Sequence, residues 1–186
     1  MIKWFLISNI LVLLIFSKVS ASTVNNIIEN FKNTQNLSFD FEQNINGKLE
    51  KGSCIIQYPK KIYCLYKNIN KKILVSDGKS LVIKNQTSNQ YYIYPIEKTP
   101  LNLILDKDYL LNKIKIIKAE LVNGKFYRFK LDENGYEINV FFDKKNFNLI
   151  GWQNIDIYQN LAITYLYNIE KNILIKKNQF KLPSQN

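Results

Sequence analysis

The stretch YRFKLDENGYEINVFF, residues 127–142, decides the fold class because it holds two alternating runs joined by a turn dipeptide. Every second position is apolar in both runs, first Tyr127, Phe129 and Leu131 and then Tyr136, Ile138, Val140 and Phe142. Asn134-Gly135 between the runs is typical of the type I′ turn, which needs positive φ at both central residues. A period of two predicts strands with one apolar face, so this stretch predicts an antiparallel hairpin.

The same alternation recurs on both sides of this hairpin. Near the N-terminus the apolar positions are Leu37, Phe39, Phe41 and Ile45. In the last run we take the odd-numbered residues as the apolar face: Leu161, Ile163, Tyr165, Tyr167 and Ile169. Three more turn dipeptides separate the runs: Asn46-Gly47, Asp77-Gly78 and Asn123-Gly124. Together these features predict a mainly β (α+β) fold built on a large antiparallel meander.

Two segments show the spacing of helices instead. In residues 23–34 Thr23 can cap a helix whose apolar stripe is formed by Val24, Ile27, Ile28 and Phe31. Thr99 followed by Pro100 has the pattern of an N-cap and a first helical residue, and the apolar positions that follow are Leu101, Ile104 and Leu105. Residues 109–111 predict a second short turn of helix, with an irregular loop as the alternative.

Such a sheet must cover its apolar face, and short helices cannot fill that face along its whole length. We therefore predict a pocket between the sheet and the helices.

The first 21 residues have the pattern of a cleaved signal peptide. Lys3 supplies the positive start, residues 10–16 are an unbroken apolar run, and Val19-Ser20-Ala21 precedes the expected cleavage site. A bilayer span takes about 20 apolar residues, so an uncleaved anchor or a buried helix is the less favoured alternative. No cysteine lies near the cleavage site to carry a lipid. The pattern predicts an untethered mature chain with a single domain at residues 22–186.

Charge and composition limit the classes of partner and of chemistry. Cleavage would remove Lys3 and Lys18 and lower the net charge from +11 to +9, which permits contact with an anionic membrane or an acidic protein. The lysines are scattered in pairs, so we expect a monomer that binds no nucleic acid. The chain has no histidine, and its six glycines form no phosphate loop. Asp106 and Asp108 fall in a polar loop, so we expect no enzyme, metal or cofactor.

Cys54 and Cys64 are the two cysteines of the chain. They fall on two strands that we expect to form a hairpin around Tyr58-Pro59-Lys60. A three-residue loop would place the cysteines directly opposite each other, whereas a two-residue loop would turn them to different faces. In an exported chain they can form a disulfide, and two separate small apolar side chains are the alternative.

Six segments of the sequence, taken in order, resemble the periplasmic outer-membrane lipoprotein carrier family, LolA. They lie at residues 41–43, 52–59, 62–66, 73–81, 99–101 and 180–183, and the Ser-Asp-Gly-Lys piece at residues 76–79 is the most telling. The resemblance implies an incomplete β-barrel with a C-terminal strand and short lid helices. It further implies that acylated lipoproteins pass from an inner-membrane ABC transporter to an outer-membrane acceptor or membrane surface, without covalent chemistry.

The resemblance also implies roles for particular residues. The acyl-chain cavity is expected to be lined by Phe39, Phe41, Ile56, Tyr58, Ile62, Cys64 and Tyr66. The lid is expected to use Ile27, Ile28, Phe31, Leu101, Ile104 and Leu105. Tyr58 stands where the family usually has an arginine that helps to hold the lid, and a tyrosine cannot supply a bidentate charged contact. Ile62 and Cys64 also replace larger aromatic residues of the family, which predicts a wider cavity.

Three other functions remain open at this level. The chain can be a module of the same fold that binds another lipid or a regulatory partner protein. It can be the outer-membrane receptor of the same pathway, although the lipid-bearing cysteine of such a receptor is missing. The third alternative is a cationic β-protein with a fully packed core.

Overall fold

The computed structural model describes residues 21–67, 71–88, 90–133, 135–155 and 159–185. The predicted signal peptide lies outside this part of the chain except for Ala21, and so does Asn134 of the predicted Asn134-Gly135 turn. Within the described residues the helices are α1 (Ala21–Lys32), α2 (Leu101–Leu105) and α3 (Lys107–Ile116), and a 3₁₀ turn at Ile96–Lys98 precedes α2. The strands are β1 (Asn36–Ile45), β2 (Lys48–Gln57), β3 (Lys61–Tyr66), β4 (Lys72–Asp77), β5 (Ser80–Asn85), β6 (Tyr91–Pro95), β7 (Glu120–Val122), β8 (Phe126–Glu133), β9 (Tyr136–Asp143), β10 (Leu149–Ile155) and β11 (Leu161–Lys171).

The eleven strands of the described chain form one antiparallel sheet in the order β6-β5-β4-β3-β2-β1-β11-β10-β9-β8-β7. Two meanders, β1 to β6 and β7 to β11, are joined at the centre, where β1 pairs with β11. The sheet remains open and does not close into a barrel. The mainly β antiparallel fold with short helices, as predicted from the alternating runs, is confirmed.

The turn dipeptides behave in two ways. Asn46 and Gly47 both have positive φ, at 48° and 87°, and Asn123 and Gly124 share this conformation at 49° and 67°. At the Asp77-Gly78 turn only the glycine has positive φ, so the type I′ prediction is wrong there. The carboxylate of Asp77 instead accepts hydrogen bonds from the backbone N–H groups of Lys79 and Ser80 at 2.8 and 2.9 Å. This side chain stabilises the turn directly.

The apolar face of β11 is the reverse of the predicted one. The buried side chains are Ala162, Thr164 and Leu166, whereas Leu161, Tyr165 and Tyr167 are exposed. Thr164 pairs with Gln43 of β1 and with Trp152 of β10, and this register fixes which side chains point inward. Local alternation could not decide the face, because both sets of positions in this strand include large apolar residues.

The helices also depart from the prediction in their bounds. Helix α1 begins at Ala21, so Thr23 lies inside the helix instead of capping it. Pro100 has helical φ and ψ of −58° and −26°, but the Thr99 hydroxyl donates to the Ile96 carbonyl and caps nothing. The second turn of helix extends to ten residues in α3, because Asp106 accepts the N–H of Tyr109 at 3.0 Å as an N-cap.

The C-terminal segment that resembles a family strand, residues 180–183, forms no strand in the structure. Phe180 is buried, and the ammonium group of Lys84 donates to the carbonyl of Ser184 at 2.7 Å. The segment therefore packs on the sheet without adding to its hydrogen-bonded ladder.

One face of the sheet, which we call the inner face, carries the helices and the core. Helices α1 and α3 pack over β8 and β9, where Phe31 lies edge-on against Phe142 at a centroid distance of 5.8 Å. Phe129 and Phe142 are completely buried there. The much shorter α2 lies over the inner face of β1 to β5 and leaves space beneath it.

Candidate functional site

A cavity of about 270 Å³ lies between α2 and the inner face of β1 to β5. Its floor consists mainly of apolar side chains from neighbouring strands, including Phe39, Phe41, Ile62, Leu74, Leu81, Ile83 and Trp152. Its roof is formed by the segment before α2 and by two residues of the helix itself, namely Lys98, Thr99, Pro100, Leu101 and Ile104. The space is therefore bounded on both sides by apolar surface, as an acyl chain requires.

The predicted cavity residues fall into two groups. Five of them line this cavity: Phe39, Phe41, Ile62, Cys64 and Tyr66. Ile56 and Tyr58 lie outside the cavity wall, which corrects their predicted placement. Both are near the β2–β3 turn, where the ring of Phe31 packs edge-on against Tyr58 at 5.4 Å and fills the space. Their side chains belong to the packed core beside the cavity.

The predicted lid residues separate in the same way. Leu101 and Ile104 form part of the roof, whereas Leu105 is completely buried and its carbonyl accepts the N–H of Lys60 at 2.9 Å. Ile27 and Phe31 are buried in the core under α1, and Ile28 borders a separate groove near Ala119. Helix α1 therefore fills the other half of the inner face and takes no part in the roof of the cavity.

Cys54 and Cys64 form a disulfide in the structure and lie directly opposite each other on β2 and β3. The three-residue loop at residues 58–60 produces this register, since Gln57 pairs with Lys61. Both cysteines line the cavity, so the bridge is part of its wall.

A group of polar side chains on the cavity wall was missed by the sequence analysis. Gln43 donates from Nε2 to Thr164 Oγ1 at 2.9 Å, and Thr164 is buried. Lys72 forms an ion pair with the buried Glu50, and its ammonium lies 3.8 Å from the centroid of the Tyr66 ring. Gln43 is in phase with Phe39 and Phe41 and was therefore detectable from sequence. Thr164 was missed because the face of β11 was reversed.

Two buried polar atoms have no hydrogen-bond partner within the described residues, the Tyr58 hydroxyl and Asn102 Oδ1. Burial raises the pKa of Tyr58 above its ordinary value. Burial, and secondarily the charge of Glu50, raises the pKa of Tyr66 in the cavity wall. Both phenols are therefore neutral at physiological pH and behave as apolar rings with a polar tip.

The carboxylates singled out from sequence are not arranged as a pair. Asp106 caps α3 and forms an ion pair with Lys60 at 3.4 Å, so its oxygens serve the fold. No group of three or more potential metal ligands occurs within the described residues. None of the helices in the described part of the chain is both long enough and apolar enough to cross a membrane.

Solved structures show the same fold at low sequence identity. An uncharacterized conserved protein from Thermus thermophilus aligns with a TM-score of 0.53 at 9% identity, over 88% of this chain and 93% of that chain. The MucA/MucB complex of Pseudomonas aeruginosa gives 0.49 at 11% identity, over 88% and 61%. A LolA superfamily protein from Nitrosomonas europaea gives 0.44 at 8% identity, over 86% and 98%. No curated protein matches the chain.

The sequence itself matches a family model over most of its length. The model for the outer membrane lipoprotein carrier protein LolA covers residues 32–183, which include every strand of the sheet and the whole cavity. The fold of this family is a binding and carrier fold. The chain belongs to the LolA family.

Proposed function

We propose that this protein is a periplasmic carrier that moves lipoproteins from an inner-membrane ABC transporter to an acceptor in the outer membrane or to its surface. The observation that supports the proposal is the apolar cavity under α2 in a chain of the LolA family. The proposal includes export by a signal peptide cleaved after Ala21, so that N-terminal sequencing of the exported protein is expected to begin at Ser22.

The energetics of an acyl chain explain why such a cavity is needed. Each methylene exposed to water costs about 0.8 kcal/mol, so a chain of ~15 methylenes costs roughly 12 kcal/mol. Burial against residues such as Phe41 and Leu101 removes that cost while the cargo crosses an aqueous compartment. Release requires that the cavity does not bind much more tightly than the next acceptor. A roof that can close on an empty cavity regains apolar contact and favours hand-over.

The roof has features suited to opening. Helix α2 contains only five residues, which is too short for a stable helix without tertiary contacts. It is held to the sheet by the hydrogen bond between Leu105 and Lys60 and by the apolar contacts of Leu103, Ile104 and Leu105. Acyl chains that enter the cavity can therefore displace the roof at the expense of apolar contacts that the chains themselves replace.

Native mass spectrometry of the protein purified from its own periplasm tests this proposal. We expect a bound species whose mass corresponds to an acylated peptide or lipoprotein, and which dissociates when detergent is added. A bound lipid without peptide, or a partner protein without acyl chains, would instead favour a module of the same fold with another ligand. Such a result would contradict the carrier function.

A further inference from the structure

The charged side chains on the cavity wall are all of one sign. Among the described residues that line the cavity, Lys72 and Lys98 carry positive charge and none carries a carboxylate. The carboxylate of Glu50, which neutralises Lys72, lies outside the lining. An occupant of this cavity therefore meets apolar surface and ammonium groups.

Lys98 is the cation without compensation. It is exposed, ends the 3₁₀ turn at Ile96–Lys98 and stands two residues before Pro100, at the start of the roof. No hydrogen bond or ion pair to its ammonium occurs within the described residues. The flexible stem of a lysine lets such an ammonium reach a ligand group at the cavity entrance.

Lys72 is a cation with a fixed position. Its ammonium is held between the buried carboxylate of Glu50 and the face of Tyr66, which leaves only 24% of the side chain exposed. Uncharged hydrogen-bonding groups accompany it on the wall, namely Gln43, Thr164 and Asn154. Their amide and hydroxyl groups can donate hydrogen bonds to a ligand oxygen beside the ammonium.

We propose that the preferred occupant of this cavity is an acyl chain that bears an anionic group, a carboxylate or a phosphate, which contacts Lys98 and the donors around Lys72. This inference rests on the proposed function and specifies the class of lipid within it. Charge-assisted hydrogen bonds are roughly twice as strong as neutral ones, and the low dielectric of an apolar cavity strengthens them further. The apolar wall then supplies affinity and the two lysines supply selectivity.

Binding of matched amphiphiles to the full exported chain tests the inference. Dodecanoate, dodecyl phosphate and 1-dodecanol have the same chain and differ in the head group. Each is titrated at pH 8 against protein loaded with a neutral apolar dye, and displacement of the dye is measured. We expect both anions to bind about tenfold more tightly than the alcohol, and the difference to shrink at high salt. Inorganic phosphate alone is expected not to displace the dye.

Variants assign the selectivity to the lysines. Lys98→Gln removes one ammonium without leaving a buried charge. Because Lys72→Gln alone would strand the Glu50 carboxylate, the double variant Glu50→Gln/Lys72→Gln is used instead. Lys125→Gln, an exposed residue in the β7–β8 turn, is the matched control. We expect the preference for anions to fall several-fold in the first two variants and to persist in the control.

Each other outcome has a defined meaning. Equal affinity for the alcohol and the anions would overturn this inference and leave the carrier function intact. Failure of all three amphiphiles to displace the dye would contradict the proposed function itself. Displacement by inorganic phosphate would show a simple anion site in place of a lipid site. An unchanged preference in both lysine variants would overturn the assignment to these residues.

Discussion

The two halves of the inner face are equally apolar but are filled differently. Over β8 and β9, helices α1 and α3 of 12 and 10 residues bury Phe129, Leu131 and Phe142 completely. Over β1 to β5, a helix of five residues covers a similar surface and leaves a cavity of about 270 Å³. The length of the covering helix, more than the composition of the strands, therefore decides where this protein can hold a ligand.

The two halves also differ in their polar content. The open half places Gln43, Lys72 and Thr164 on the cavity wall. The corresponding inward positions of β8 and β9 are aromatic or aliphatic, such as Phe129 and Val140. Polar groups cost free energy when they are buried without partners, so they are tolerated where a ligand or water can reach them. Polar side chains at inward positions thus mark the functional half of the sheet.

The largest expected effect comes from a charge in the open half. Ile62→Glu places a carboxylate on the cavity wall, where an acyl chain would desolvate it at a cost of several kcal/mol. We expect loss of apolar dye binding and of lipoprotein transfer in a reconstituted assay. Leu65→Glu is the matched control, since Leu65 is an exposed residue of the same strand. Normal transfer by a folded Ile62→Glu variant would refute the cavity as the cargo site.

A large effect on stability without an effect on binding is expected from the packed half. Phe129→Ala removes a fully buried ring beneath α1 and α3 and should lower the free energy of unfolding by about 3–5 kcal/mol. Urea unfolding measures this change, and dye binding below the transition should be unaltered. Phe126→Ala, on the other face of the same strand, should cost less than half as much. A strong loss of dye affinity in folded Phe129→Ala would show that the halves are coupled.

The disulfide in the cavity wall should have an intermediate effect. It closes a loop with a sequence separation of 10 residues, for which the restriction of the unfolded chain is worth about 2–3 kcal/mol. We expect the double variant Cys54→Ala/Cys64→Ala, or reduction of the native protein, to lower the free energy of unfolding by this amount. Dye binding by the folded variant should change little. An unchanged unfolding midpoint after reduction would contradict a stabilising bridge.

The sequence was sufficient for the strands and insufficient for the faces of some of them. Alternation identified β8 and β9 because only one set of positions there is consistently apolar. In β11 both sets contain large apolar residues, so the inward position of Thr164 depended on its pairing with Gln43 and Trp152. Register between distant strands is a tertiary property that no local pattern in β11 carries.

The cavity could be foreseen in kind but only partly in its residues. Phe39, Phe41 and Ile62 were found because they share the inner face. The displacement of Ile56 and Tyr58 into the core depends on how far Phe31 reaches over the β2–β3 turn. That reach follows from the packing of α1, which the periodicity of residues 23–34 does not determine.

The smallest expected effect belongs to Tyr58, which stands at the boundary between the two halves. Its ring packs against Phe31, while its hydroxyl is buried with no partner among the described residues. A buried hydroxyl without a partner stabilises nothing, so Tyr58→Phe should leave the free energy of unfolding unchanged or raise it by up to ~1 kcal/mol. Tyr58→Ala, which also removes the ring, should cost about 3–5 kcal/mol by comparison.

Transfer assays extend this prediction to the roof. If apolar contacts of Leu101, Ile104 and Leu105 hold the roof closed, Tyr58→Phe should deliver lipoprotein at the normal rate. Loss of delivery in Tyr58→Phe, with stability and loading intact, would mean that the hydroxyl finds its partner only when the roof opens. The boundary between the two halves would then be the hinge of release, and the packed half could no longer be regarded as passive.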